Sequence, residues 1–134
     1  MVKLITGKKG TGKTKILIDM INEAAKNTAG NIVCIEKGAK LTYDIDHSVR
    51  LTEVESYGIT GYEAFYGFLA GMLAGNFDIS EVFVDSILKI CGADFNALGE
   101  MLAKVDKLSS DKIDVVFTVS ADKEELPESV KAYI

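Results

Sequence analysis

The stretch GKKGTGKT, residues 7 to 14, is the feature that most restricts how this chain folds. It directly follows the apolar run VKLIT and directly precedes the periodic segment KILIDMI. The eight residues fit GxxxxGK[ST], with Gly7, Gly12, Lys13 and Thr14 at the fixed positions. A short apolar run, a glycine-rich turn and an amphipathic segment in this order predict a strand, a loop and a helix.

Such a loop suits phosphate because glycines let the backbone curl until successive N–H groups point inward at a helix N-terminus. Lys13 is then expected to reach the β- and γ-phosphates of a nucleotide, and the Thr14 hydroxyl to face the Mg²⁺ that bridges them. The alternative is a glycine-rich turn with accidental spacing. The predicted nucleotide-binding residues are Gly7, Lys8, Lys9, Gly10, Thr11, Gly12, Lys13, Thr14 and Lys15.

The rest of the chain continues the alternation of strands and helices. Continuous apolar runs without alternation are typical of parallel strands buried on both faces. We therefore predict one domain over residues 1–134, with a three-layer α/β fold and a mainly parallel sheet of four or five strands. The predicted strands are 2–6, 31–36, 81–86 and 112–120, with a short one in HSVRLTEV, and the predicted helices are 13–27, a stripe over 97–108 and a last one starting at Pro127.

Composition agrees with an ordinary globular domain. The chain has 134 residues, of which 48% are apolar and 26% charged. The few apolar residues before the loop do not resemble a secretory signal, so we expect a cytoplasmic protein. Cys34 and Cys91 form no CxxC pair, which argues against a disulfide framework or a zinc site.

The charge is unevenly distributed along the chain. Residues 1–50 carry nine basic and five acidic side chains, a net +4, whereas residues 51–134 carry six and fifteen, a net −9. The acidic remainder argues against a nucleic-acid groove, which needs a basic stripe. The positive surplus surrounds the loop, and its members there are Lys3, Lys8, Lys9, Lys13 and Lys15.

The segment ITGYEAFYGFLAGMLAGNF, residues 59–77, has one charge, and Gly67, Gly71 and Gly75 recur every four residues. This spacing is found in membrane helices, but the run is at the lower length limit and lies within a βαβ pattern. We predict a buried crossover helix whose glycine edge lets the sheet or another subunit approach closely. Neither a membrane nor a nucleic acid is expected as a partner.

A second motif points to the same chemistry as the loop. Val82, Phe83 and Val84 lead into Asp85 at the end of a predicted strand. This segment resembles the Walker B motif of P-loop NTPases. The resemblance is strengthened by the glycine-rich loop, which follows a strand that we expect to neighbour this one. The resemblance covers the architecture from residue 1 to about 122, although its specific motifs occupy only about a dozen positions. It implies that Asp85 and Thr14 support a Mg²⁺ ion.

The chain departs from hydrolytic P-loop proteins after Asp85. Many of them place a glutamate next to position 85 to orient the attacking water, and here Ser86 stands there. RecA-like members carry that glutamate on the strand after the loop's helix, and Glu36 lies near that place. The candidate catalytic residues are therefore Lys13 and Glu36. The alternative is a solvated residue at a strand exit. Ser120 and Asp122 follow the last predicted strand and either sense phosphate or form an ordinary turn.

Charge compensation on the transferred phosphoryl group often comes from an arginine. Arg50 is the only arginine, and it is the remaining candidate catalytic residue. Lys8 falls where the deviant loop of MinD-like ATPases, KGGxGK[ST], places a lysine that reaches across a dimer, but Lys9 replaces the first glycine of that motif. A homo-oligomer or a protein partner is therefore one expectation. His47 has no nucleophile pattern near it and is expected in a turn or on the surface.

The choice between ATP and GTP depends on which sequence motifs are absent. The guanine motifs [NT]KxD and DxxG are absent, because the corresponding segments read VSAD and DSIL. ATP with Mg²⁺ is the expected ligand, and GTP is less favoured. The leading hypothesis is an ATP·Mg²⁺-binding protein with weak or partner-dependent hydrolysis. The alternatives are a small phosphotransferase or oligomer-completed ATPase, and a non-catalytic interaction module whose loop stays unoccupied.

Overall fold

Five short strands, four of which are mainly apolar, form one parallel sheet. The computed structural model describes residues 1–134. Its strands follow the order β1-β5-β4-β2-β3, and every neighbouring pair is parallel. The predicted α/β fold with a parallel sheet is therefore confirmed. The strands are β1 (Val2–Thr6), β2 (Asn31–Glu36), β3 (Arg50–Glu53), β4 (Ile79–Val84) and β5 (Asp114–Val119).

Five helices connect or follow the strands, and two short 3₁₀ turns accompany them at Val54–Tyr57 and Lys123–Glu125. Helix α1 has the predicted bounds, and the stripe predicted over 97–108 lies within α4. Pro127 precedes the last helix as its N-cap instead of occupying its first turn. The helices are α1 (Lys13–Asn27), α2 (Tyr62–Gly75), α3 (Ile87–Cys91), α4 (Phe95–Ser109) and α5 (Glu128–Lys131).

Alternating side chains of the strands supply two separate cores, one on each face of the sheet. On one face, Ile32 and Cys34 of β2 pack in a cluster of 10 buried residues with α1 and with apolar side chains of the 37–49 loop. On the other face, Val33 and Ile35 belong to a cluster of 23 buried residues shared with α2, α3, α4 and α5. The three predicted layers are therefore present.

The strand that leads into the loop lies at one edge of the sheet. Its only neighbour is β5, and β5 separates it from β4, the strand that ends before Asp85. The expectation that these two strands are neighbours is therefore wrong. Parallel strands still bring their carboxyl ends to one edge of the sheet, so the loop, Asp85 and the end of β5 face the same region.

Helix α2 buries Phe65, Leu69 and Leu73 against the larger core. Its glycine edge does not bring the sheet close. A Cβ atom added at Gly67 or Gly71 would meet nothing within 4 Å. The predicted close approach of the sheet is wrong, and open space borders this edge instead. None of the helices has the length and apolar character needed to cross a membrane.

Candidate functional site

The glycine-rich loop between β1 and α1 has a backbone that other residues would strain. Gly12 caps α1 with φ of 87° and ψ of 15°, a left-handed conformation that glycine adopts at no steric cost. At Gly7, an added Cβ would come within 2.5 Å of the Thr11 hydroxyl oxygen. The fixed glycines of the motif are thus explained by backbone shape.

The same loop presents an array of backbone donors. Between Lys8 and Lys15, only the Thr11 N–H has a backbone acceptor, the carbonyl oxygen of Lys8 at 3.2 Å. The other N–H groups of the segment 8–15 have none. Since backbone N–H groups are rarely left without an acceptor, an array of them at a helix N-terminus has the chemistry of an anion-binding nest.

The Lys13 side chain is held inside this loop. It is only 7% exposed, and its Nζ donates to the Lys8 carbonyl oxygen at 2.9 Å. The Thr11 hydroxyl donates to the same oxygen at 2.7 Å. Burial lowers the pKa of Lys13, the neighbouring charge of Asp85 opposes that change, and Lys89 adds to it. An anion in the loop would stabilise the charged ammonium.

Asp85 lies across from the loop and is oriented by three hydroxyl groups. Its Oδ1 accepts from Thr118 at 2.8 Å and from Thr14 at 3.4 Å, and its Oδ2 accepts from Ser86 at 3.4 Å. The Thr118 oxygen also accepts from the Ser86 N–H at 2.7 Å. This arrangement follows from the β4–β5 register, in which Val84 pairs with Phe117.

The two predicted magnesium residues, Thr14 and Asp85, are therefore brought together. The protein has no group of three or more His, Cys, Asp or Glu side chains that could hold a metal by itself. Mg²⁺ usually binds through one or two carboxylates, several waters and substrate phosphates, so it does not need such a group. A hydroxyl and a carboxylate beside an anion nest fit a Mg²⁺ ion that arrives with phosphates.

A polar cavity of about 330 Å³ lies over the loop. Lys89 of α3, which belongs to neither sequence motif, lines it. The predicted Lys15 does not line it, because its Nζ pairs with Asp19 at 3.3 Å on the surface of α1. The side chain of Lys8 is also outside the lining. The residues that line the cavity are Lys9, Gly10, Gly12, Lys13, Thr14, Ser86, Lys89 and Ser120.

A second polar cavity of about 300 Å³ adjoins the first and shares Ser86 and Lys89 with it. Three cationic side chains and three carboxylates face it, and no hydrophobic side chain does. The two cavities together form a polar trough along the carboxyl edge of the sheet. The charged residues of the second cavity are Lys37, Lys40, Lys89, Glu36, Glu55 and Asp85.

Glu36 ends β2 next to Asp85, since Ile35 pairs with Val84 in the neighbouring strand. It is 3% exposed, so the alternative of a solvated boundary residue is wrong. Its carboxylate accepts from the Lys40 N–H at 2.9 Å and from the Leu41 N–H at 3.3 Å. Burial raises the pKa of Glu36, the two backbone bonds oppose that rise, and Asp85 adds to it.

Arg50 is not brought to this site. It begins β3, pairs with Val33, and lies three residues before Glu53, which pairs with Glu36 at the carboxyl edge. At about 3.3 Å per residue, the Arg50 backbone is roughly 10 Å from that edge. A role for Arg50 at this loop would need a second copy of the chain.

The structure also locates the other residues that the sequence pointed to. Ser120 lines the loop cavity, whereas Asp122 forms a capping box with Glu125 at the second 3₁₀ turn. His47 is exposed in a turn, as expected. Both cysteines are free thiols.

Two residues of the site were missed from the sequence, Thr118 and Lys89. Thr118 is the only polar residue inside the apolar run VVFTV, and this interruption was the available signal. Lys89 follows Asp85 by four residues, about one helical turn, which would have placed it near the same edge.

No protein-family model matches the chain, and no curated protein sequence matches it.

Proposed function

We propose that this protein binds ATP·Mg²⁺ in the manner of P-loop NTPases and hydrolyses it weakly on its own or with the help of a partner. The observation that carries this proposal is the array of backbone N–H groups without backbone acceptors between Lys8 and Lys15. The buried ammonium of Lys13 adds positive charge to the same place. Cytoplasmic localisation, where ATP is abundant, belongs to the same proposal.

Each residue has a role in this proposal. The loop amides bind the phosphates, and Lys13 exchanges the Lys8 carbonyl for phosphate oxygens. Thr14 and Asp85 supply oxygens for Mg²⁺, which neutralises phosphate charge when bound. Thr118 and Ser86 hold the Asp85 carboxylate in place. ATP is favoured over GTP because both guanine motifs are absent from the sequence.

Weak hydrolysis follows from the groups around the cavity. Ser86 stands where many hydrolases have a glutamate, and no arginine lines either polar cavity. Glu36 is close to Asp85, but each of its two oxygens accepts a backbone N–H from the following loop. A carboxylate engaged in this way has less freedom to take a proton from water.

Isothermal titration calorimetry with ATP and Mg²⁺ tests the proposal. We expect saturable binding by the wild type and its loss in Lys13→Ala. The matched control is Lys15→Ala, because Lys15 is two residues away but pairs with Asp19 on the surface of α1. Equal affinity in the wild type and Lys13→Ala, or no binding by either, would refute the proposal.

Thermal melting gives a second readout, because a ligand that binds only the folded state raises the midpoint. A rise with ATP·Mg²⁺ in the wild type, absent in Lys13→Ala, supports occupancy of the loop. An unchanged midpoint at millimolar ATP and at millimolar GTP would favour the alternative of an interaction module with an unoccupied loop.

The second polar cavity favours a further candidate function, phosphoryl transfer to a small polar acceptor. A related candidate is hydrolysis that is completed by a second copy of the chain. Lys89 lines both cavities, and Lys37 and Lys40 add positive charge beside the first. Turnover per molecule that rises with protein concentration and is lost in Arg50→Ala would support completion by a second copy. Turnover that is independent of concentration and unaffected by Arg50→Ala would contradict it.

A further inference from the structure

A third cavity, of about 530 Å³, lies between β3 and α2 at the end of the sheet opposite the phosphate loop. Residues that begin three strands line it, namely Asn31 of β2, Arg50 of β3 and Ile79 of β4. Because all strands are parallel, these amino ends face away from the edge that carries the loop. The cavity is therefore a site separate from the one described above.

The walls of this cavity are largely apolar. Val33 and Ile79 form buried parts of its lining, and Phe68 and Met72 contribute from α2. Gly67 and Gly71 line it from the same helix, and no atom lies within 4 Å of where their Cβ atoms would be. The missing side chains of these glycines therefore leave room for a ligand beside the sheet.

A polar side chain without a partner faces this space. Thr52 is 7% exposed, lines the cavity and makes no side-chain hydrogen bond with the protein, in contrast to Thr118, which is also buried and makes two. Every buried side-chain polar atom of the protein has a hydrogen-bond partner, so the unpartnered hydroxyl of Thr52 is open to solvent in the cavity, where a water or a ligand can hydrogen-bond it. Thr52 thus provides a hydrogen-bonding group in a largely apolar wall.

The single charge that lines the cavity is positive. Arg50 forms no ion pair, and no carboxylate lines the cavity. Arg50 and Thr52 are two residues apart on one strand, so their side chains leave the same face of the sheet about 7 Å apart. A guanidinium and a hydroxyl at this spacing complement one anionic group, which Arg binds through paired N–H donors.

We propose that this cavity binds a small amphipathic anion, with an aromatic or branched apolar body against Phe68 and Met72 and a carboxylate or similar group at Arg50 and Thr52. Ligand sites are commonly concave, largely apolar, about 300 to 1,000 Å³ in volume, and equipped with a few convergent polar groups. The cavity matches each of these properties. Its ligand is distinct from the nucleotide proposed for the loop.

The probe 8-anilinonaphthalene-1-sulfonate tests the proposal, because it joins an aromatic body to one sulfonate. We expect saturable fluorescence enhancement with the folded wild type at one site per chain. Gly71→Leu fills the cavity and should weaken probe binding by about tenfold or more. Ala74→Leu adds the same side chain to an exposed position of α2 outside the cavity and should leave probe binding unchanged.

Two further variants test the polar end without changing the cavity's volume greatly. Arg50→Gln removes the charge and Thr52→Val removes only the hydroxyl, and each should weaken the probe several-fold. These two variants test whether the probe binds in the cavity even if Gly71→Leu fails to fold. Circular dichroism and melting midpoints verify folding in every variant, because the probe also binds partly unfolded chains.

Several outcomes would overturn the proposal. Absence of saturable probe binding, or equal binding in Gly71→Leu, would exclude the cavity as the site. Displacement of the probe by ATP·Mg²⁺ would place it at the phosphate loop instead. A wild-type dimer in analytical ultracentrifugation that Gly71→Leu dissociates would show that a second copy, and not a small anion, covers the cavity.

Discussion

The hydroxyl of Thr118 in β5 donates over 2.8 Å to the carboxylate of Asp85, the residue that follows the neighbouring strand β4. The same oxygen accepts the N–H of Ser86 at 2.7 Å. One buried hydroxyl therefore holds both the carboxylate and the backbone that follows it. A carboxylate oriented in this way faces Thr14 and the glycine-rich loop.

Replacing Thr118 by valine keeps the volume of the side chain and removes both hydrogen bonds. We expect the free energy of unfolding to fall by about 1 to 3 kcal/mol, because the Ser86 N–H loses its acceptor. The affinity for Mg²⁺ in the presence of ATP should fall roughly 10- to 100-fold, as for other residues that orient a metal ligand. Urea unfolding and calorimetry measure the two effects.

Thr52→Val is the matched control for Thr118→Val, since Thr52 is also a buried residue, 7% exposed against 1% for Thr118, but makes no side-chain hydrogen bond in the protein. It should not lower the free energy of unfolding. Equal losses of stability in the two variants would contradict the role assigned to Thr118.

Lys89→Ala should weaken ATP binding because it removes a positive charge that lines both polar cavities. A loss of roughly fivefold, about 1 kcal/mol, is expected for one partly solvated charge near phosphates. Calorimetry at low and high salt provides the measurement, and the effect should shrink as salt rises. Lys107→Ala, which alters an exposed residue of α4, should leave the affinity unchanged.

Glycines at two positions should respond to alanine in opposite directions. Gly71→Ala replaces a helical residue that has open space around it, so it should stabilise the protein by roughly 0.5 to 1 kcal/mol and raise the melting midpoint by about 3 °C. Gly12→Ala forces a side chain into a left-handed conformation, which costs about 1 to 2 kcal/mol and distorts the loop. Its ATP binding should be lost. Stabilisation by Gly12→Ala would be inconsistent with the loop described here.

The buried Glu36 gives a stability difference that depends on pH. Because burial raises its pKa in the folded state, the folded protein binds the proton more tightly than the unfolded chain does. The stabilisation is complete below the ordinary value of 4.5 and is lost as pH rises through the raised pKa of the folded state. The wild-type stability minus that of Glu36→Gln should therefore decrease as pH rises from about 4.5.

Chemical denaturation at a series of pH values measures that difference. Glu63→Gln is the control, because Glu63 is exposed on α2. It removes one negative charge, as Glu36→Gln does, and so controls for the change in net charge. If the wild-type free energy of unfolding minus that of Glu36→Gln increased with pH, burial of Glu36 would not raise its pKa in the folded state.

Local patterns predicted the strands, helix α1 and the glycine-rich loop between β1 and α1 because the signals for these elements lie within a few consecutive residues. The pairing of Thr118 with Asp85 depends on β5 lying between β1 and β4, and no local pattern gives the order of strands. The same limit explains why the two motif strands were expected to be neighbours. Non-local order had to come from the structure.

The glycines of α2 illustrate a second property that the sequence did not predict, namely what lies beside a helix face. Its period predicts that glycines share one side of the helix, but not whether another element fills the space beside them. In the structure they border a cavity. For Arg50 the information was present, since a residue at the start of a parallel strand lies far from the carboxyl edge where the loop was expected.

Strand β1 pairs only with β5, and the register joins Val2 to Val115. A ribosome makes β1 before β5, so this apolar strand has no partner in the sheet until more than a hundred further residues have been added. At typical rates of synthesis that delay is on the order of 10 s. The glycine-rich loop that follows β1 can therefore take its final shape only after β5 has been made, and under the proposed function a nascent chain cannot hold nucleotide in it before then.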